Sequence, residues 1–265
     1  MIELTRHPTC DLSIGFDPDS HVYKLISDPL MPWEDNNEIY VSGTQFCGHY
    51  MPEFNAAAVA PVIAKRQGKK TEDVIAEWDR KRIHSCEMGT RVHCNQELMM
   101  KGGQPQPTFQ DEREKAIMRN GILAINSIRS AGWEPFAAEK VIFSVKYKIA
   151  GTVDAIFVRG REYMIVDWKT NERIEKSNRY GEKCKNPLGH LDACEFVKYS
   201  LQLSLYRRIL LEEGYLNAIA PVRLVLIHLT PNGFTPMPVT PLEELDSLLL
   251  DYLTNWRMSM FNIPF

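Results

Sequence analysis

The sequence predicts an α/β fold, a single domain whose central mixed β-sheet, a meander plus a further strand, is flanked by helices. Three observations carry this. Helical periodicity dominates the first half, in segments 54–66, 71–100 and 110–131. The period then switches to two: Val141, Phe143, Val145, Tyr147 and Ile149 alternate with Ser144, Lys146 and Lys148. Finally, a segment apolar on most sides, 195–213, reads as a buried helix, and a strand-like run follows at 222–229.

Residues 1–40 read as irregular, with prolines at 8, 18, 29 and 32 and the polar cluster Glu34-Asp35-Asn36-Asn37; residues 21–26 form a candidate edge strand. Ser42 or Thr44 is placed to cap a short helix. Thr71 opens the long helix with Glu72 and Asp73 in its first turn, and Gly102-Gly103 end it. Gly132 stops the next. Strands follow at about 138–149, 151–159 and 162–170, the last two joined by Arg159-Gly160-Arg161-Glu162, with glycine where a hairpin wants it. Gly214 is placed to end helix 195–213. After strand 222–229 comes a proline-rich turn. Thr240-Pro241-Leu242-Glu243 then gives cap, first-turn proline and N3 glutamate in capping-box order for a final helix. The chain divides into an irregular 1–40, a helical 41–135 and an α/β core 136–265 within one compact domain.

Hydrophobic residues at 44% and charged residues at 25% are ordinary globular values over 265 residues. A net charge of −3 excludes a generally basic coat for nucleic acid, but not an enzyme with a local basic groove. Cys10, Cys47, Cys86, Cys94, Cys184 and Cys194 show no metal or redox spacing, so free thiols in a reducing compartment are expected. No secretory signal opens the sequence, and no uncharged apolar run approaches the about 18 residues of a membrane span. The expectation is a soluble cytoplasmic protein with no membrane partner.

Asp167-Trp168-Lys169 closes the apolar run 163–166, and Gly151-Thr152-Val153-Asp154 opens the preceding strand. Asp167 and Lys169, two apart on a strand, project from one face while Trp168 points the other way. If the two strands pair, Asp154, Asp167 and Lys169 converge. Paired carboxylates hold a hard divalent cation, and a lysine beside them steers water: the requirements of phosphodiester hydrolysis. Taken singly, each residue is more simply a strand-end cap or a surface ion pair. His93 and Glu97, four apart, share a helix face, as do Gln202 and Tyr206 on the apolar helix; Glu139 is a further carboxylate with a weaker claim. A glutamine on an apolar helix needs a partner, because a buried amide without one is costly.

The series Ser42-x-Thr44, Gly89-Thr90-x-x-His93-x-x-x-Glu97, Gly151-Thr152-x-Asp154, Asp167-Trp168-Lys169-Thr170 and Gln202-x-x-x-Tyr206 resembles, in order and spacing, the RecB-like nucleases of the PD-(D/E)xK superfamily. The resemblance covers roughly 40–230. Stretch 186–191 leading into 199–203 looks like phage, viral and mitochondrial exonucleases. It implies a restriction-endonuclease-like core and a metal-dependent DNA nuclease, an exonuclease acting on ends in recombination, repair or genome processing. A structure-specific endonuclease and a non-catalytic DNA-binding or assembly protein are the alternatives.

The resemblance also assigns roles. Asp154 and Asp167, with the Trp168 carbonyl, would ligate one or two Mg²⁺ or Mn²⁺ ions, and His93 and Glu97 would complete or flank the site. Lys169 would position and help deprotonate water, with Gln202 and Tyr206 in support. Ser42, Thr44 and Thr170 would touch substrate. Some relatives hold an iron–sulfur cluster through C-terminal cysteines; nothing after Cys194 is cysteine, so none is expected here. The implied partner is DNA, with single- or double-stranded ends, while a recombination or replication protein partner and the oligomeric state stay open. Arg179, Lys183 and Lys185, set among Glu172, Glu175 and Glu182 after the Asp-x-Lys strand, read as a DNA contact or equally as a solvated loop; Lys65-Arg66 and Lys69-Lys70 form a second basic cluster.

Overall fold

The computed structural model describes residues 2–18, 20–28, 31–36, 38–106 and 108–257. Among these, nine strands form one mixed sheet, a single α/β domain with helices on both faces. β1 (Glu3–Arg6), β2 (Ser13–Asp17) and β3 (Val22–Ile26) make an antiparallel extension that reaches β4 (Ile39–Ser42). The helices α1 (Gly43–His49), α2 (Ala56–Gln67), α3 (Thr71–Met100) and α4 (Glu112–Ser130) follow. The meander is β5 (Glu134–Ser144), β6 (Ile149–Arg159) and β7 (Glu162–Lys169). After α5 (Glu195–Glu212), β8 (Val222–Thr230) runs parallel to β7, and β9 (Gly233–Val239) closes the edge before α6 (Leu245–Asp251).

Local chemistry explains the boundaries. Asn55 caps α2 through Ala58, and Gly68 ends it at φ 65°, where a side chain would be strained. Asp111 caps α4 by accepting from the Glu114 N–H at 2.7 Å. One sheet face buries Ile156, Ile165, Leu224 and Leu226 against Leu201, Leu205 and Ile209 of α5. The other buries Phe157, Val166, Trp168 and Ile227 against Val92 of α3 and Ile117 and Ile125 of α4. No helix among the described residues is long and apolar enough to cross a membrane.

Several expected elements differ. The N-terminal segment carries three strands rather than one edge strand, and β3 lies between β2 and β4. Its strands are only four or five residues long, too short for periodicity to stand out, though Ile14, Phe16 and Tyr23 are buried. Pro29 and Asn37, part of that irregular reading, lie outside the described residues. Strand 138–149 breaks after Ser144, although the alternation of side chains runs on. The Ser144 hydroxyl accepts from the Tyr147 N–H at 3.0 Å, a side-chain turn that needs neither glycine nor proline. The proline-rich turn is β9. Pro236 and Pro238 are two apart, so both missing N–H groups face outward from the sheet edge, and the ladder to β8 survives. The last helix starts at Leu245, not at the Thr240 cap, because the Leu242 N–H is taken by the Ser204 hydroxyl of α5 at 3.0 Å.

Candidate active site

β6 and β7 pair only from Arg159↔Glu162 up to Ala155↔Val166, and beyond that point the strands part. Asp154 and Asp167 are the next residues on either side of the fork. The Asp154 carboxylate accepts from the Trp168 N–H at 2.8 Å, a side chain standing in for the missing ladder bond. Asp167 and Lys169 leave the same face, with the Lys169 Nζ donating to Asp167 Oδ1 at 3.0 Å, and Trp168 packs on the α3/α4 side. From α3, His93 reaches the same fork. Its Nε2 donates to the Trp168 carbonyl at 3.1 Å, which fixes the proton there, since a carbonyl can only accept. Nδ1 therefore faces Glu139 Oε1 at 3.4 Å and Asp154 Oδ2 at 3.6 Å. Among the described residues, His93, Glu139 and Asp154 form a group whose ligand atoms all lie within 4.8 Å of one another. This cluster can hold a divalent metal ion.

Glu139 gets there by a backbone distortion. Its φ is 45°, a left-handed value uncommon for a glutamate, and it interrupts the β5–β6 pairing between Ala138↔Ala155 and Lys140↔Val153. Direct placement opposite Asp154 follows from that register.

The charges are crowded, with Asp167 buried and the others partly so. Burial pulls the His93 imidazole down, but the charge of Asp154 and the hydrogen bond and charge of Glu139 outweigh it, raising its pKa to about 9. Burial lifts Asp167 to about 6, against the opposing pull of Lys169, and lifts Asp154 as well. Burial opposes the Lys169 ammonium, yet Asp167 and Asp154 prevail and hold its pKa above the ordinary value. Lys169 also sits over the Tyr199 ring at 4.5 Å. The residues fit a metal: one imidazole nitrogen and hard carboxylate oxygens suit a divalent cation, and buried Asp167 Oδ2 has no hydrogen-bond partner, although the Lys169 Nζ lies at ion-pair distance, 2.8 Å.

The other expected site residues stand further out. Glu97 pairs with Lys101 at 2.5 Å and lies outside the three-residue group. The Trp168 carbonyl is engaged by His93. Gln202 donates through Nε2 to the Tyr206 hydroxyl at 3.1 Å, which supplies the partner its amide required. Ser42 caps α1 by accepting from the Gln45 N–H at 3.1 Å, while Thr44 is exposed in the first turn. Thr170 follows Lys169 at the site margin. Arg179, Lys183 and Lys185 lie on the segment between β7 and α5, each facing an acid: Glu175 at 2.8 Å, Asp192 at 2.6 Å and Glu53 at 3.8 Å. Tyr199 was not singled out from sequence as a site residue; Glu139 was, weakly, and its signal was only its place at the start of the long strand-like run.

Tyr206 explains two glycines of the motifs. A Cβ at Gly43 or at Gly151 would come 2.6 Å from its ring. The tyrosine thus lies wedged between α1 and β6, beneath the site.

A family model described as the PD-(D/E)XK nuclease superfamily matches residues 63–260, most of the chain and every element of the fork. The chain belongs to the PD-(D/E)XK nuclease superfamily. Within that matched range, the fork carries a candidate metal-binding triad consistent with phosphodiester hydrolysis. No curated protein matches this superfamily member. A solved protein, SSO0001, is 20% identical over 52% of this chain at a TM-score of 0.26, a likeness too slight to bear on the chemistry; the chain spans 60% of that protein's length.

Proposed function

We propose that this superfamily member is a Mg²⁺- or Mn²⁺-dependent deoxyribonuclease of the RecB-like branch, acting as an exonuclease on DNA ends. The observation that carries the reading is the junction of a three-donor cluster, His93, Glu139 and Asp154, with a buried Asp167–Lys169 pair at one strand fork. His93, Glu139 and Asp154 would hold the metal, with Asp167 beside them. When bound, the ion neutralises charge on the phosphate and acidifies water. The chain's own residues do the rest. The hydrogen bond from Nε2 to the Trp168 carbonyl locks the His93 ring with Nδ1 toward the carboxylates. Asp167 and the Tyr199 ring hold the Lys169 ammonium in one place, where it orients water or a phosphate oxygen. Its raised pKa favours this positioning role over that of a base. Gln202 and Tyr206 brace the floor, and Thr170 borders the substrate.

The test is end-labelled single- and double-stranded DNA, with and without Mg²⁺, beside a covalently closed circle. Metal-dependent loss of the label with the circle intact is expected. Nicking of the circle would replace the exonuclease reading with an endonuclease one, and no metal-dependent cleavage of any substrate would overturn the nuclease reading.

A further inference from the structure

We propose that Arg113 grips the DNA backbone in a groove that opens beside Thr170, on the α3/α4 side of the site; this rests on the nuclease reading above. Two cavities, of about 300 Å³ and about 490 Å³, share a wall made of Arg113, Thr170, Asn171 and Glu172. Thr170 directly follows Lys169, so the wall begins where the candidate chemistry ends.

The wall is rigid. The Tyr199 hydroxyl donates to Asn171 Oδ1 at 3.1 Å, and His228 Nε2 donates to the Asn171 carbonyl at 2.7 Å. Opposite it runs α3, brought near at Gly89, where a Cβ would lie 3.7 Å from the Thr170 hydroxyl. The charges facing the groove come from three elements. From α3, Lys81 is committed to Glu77 at 3.0 Å, and His84 faces Asp111 at 3.8 Å. From the segment after β7 comes Glu172, an acid that opposes a phosphate. From α4 comes Arg113, exposed and, among the described residues, without an ion pair or side-chain hydrogen bond.

A phosphate backbone is bound by cations that release counterions, and a cation already paired with a carboxylate must first give that partner up. Arg179, Lys183 and Lys185 are in that position. Arg113 is not, and its planar fork matches a phosphate in two-point geometry. A free guanidinium one cavity wall away from Thr170 therefore offsets Glu172 and makes this groove the track for the strand at the site.

The experiment is binding of labelled single- and double-stranded DNA to the full chain without metal, over roughly 50–200 mM salt. Arg113→Gln is expected to weaken binding roughly tenfold at low salt and to reduce the salt slope by about one. Arg113→Lys should restore the slope, which a merely structural role would not require. Arg119→Gln, exposed on the same helix and outside both cavities, should leave the slope as it was. If a chain that cuts DNA binds it equally well as Arg113→Gln, the inference falls and the nuclease reading stands. Equal losses in Arg113→Gln and Arg119→Gln would also overturn it, showing diffuse attraction. A parent chain that neither binds nor cuts DNA overturns both.

Discussion

Glu114 of α4 and Asp167 of β7 are both buried carboxylates hydrogen-bonded to a cationic side chain, and their pKa values move in opposite directions. Glu114 receives the Arg91 fork at 2.6 Å and 2.9 Å and the Gln110 N–H at 3.1 Å. Hydrogen bonding to Arg91 is the largest effect on it and holds its pKa below the usual carboxylate value. Asp167 receives one hydrogen bond, from Lys169, and shares that ammonium's field with Asp154. Burial is the largest effect there and pushes Asp167 up to about 6. The two sites differ in donors as well as in desolvation, which dominates only at Asp167. A buried acid supplied with enough donors fastens α3 to α4; one left short of them keeps an oxygen available for something the polypeptide does not itself contain.

The contrast can be broken from the Asp167 side first. Lys169→Ala or Asp154→Asn should cut the rate of DNA hydrolysis roughly 100- to 1000-fold while the protein melts cooperatively. Initial rates at saturating metal, with a melting curve on each variant, check this. Near-parental rates would remove Lys169 from the chemistry.

Next in size is the Glu114 side. Glu114→Gln removes the buried partner of Arg91, leaving it only Glu87 at 3.9 Å, and should cost roughly 3 kcal/mol of stability, a fall in Tm of roughly 6–12 °C, with the rate per folded molecule near the parent's. The pH dependence follows from the direction of the shift. The fold holds Glu114 ionised, with its pKa below the ordinary 4.5. Its contribution is complete above about 4.5 and is lost as pH falls through the folded value. Parent and variant should therefore converge in acid, and denaturation curves from neutral pH downward test this. A gap that widened in acid would contradict the assignment.

The smallest effect sharpens the comparison. Mg²⁺ or Mn²⁺ at about 100 times its Kd should stabilise the parent by roughly 2.7 kcal/mol, Glu114→Gln by the same increment, and Glu139→Gln by far less. Thermal melts across a metal titration read all three. An undiminished metal response in Glu139→Gln would take that residue out of the ligand set.

The legible parts of the molecule were those whose signal is local. Asp154, Asp167 and Lys169 could be placed because a strand alternates faces and Gly160 marks a turn, so their faces follow from spacing alone. Helices α2 to α4 were legible for the same reason, long periodic segments with chemical stops. Glu139 was less so, since its reach depends on a left-handed backbone inside β5 and on register with Asp154. The Arg91–Glu114 pair, 23 residues apart on separate helices, carries no sequence pattern at all. Strand β9 was hidden by prolines that only an edge position tolerates, and the break after Ser144 by a hydroxyl doing the work of a turn glycine.

Tyr206 has a consequence for how this chain can vary. Its ring occupies the space that a methyl group would need at Gly43 and at Gly151, two positions more than a hundred residues apart. Replacement of either glycine would force the aromatic aside or demand a smaller residue at 206. The three positions are therefore tied in lockstep, and sequence drift at any one of them is bounded by the size of the other two.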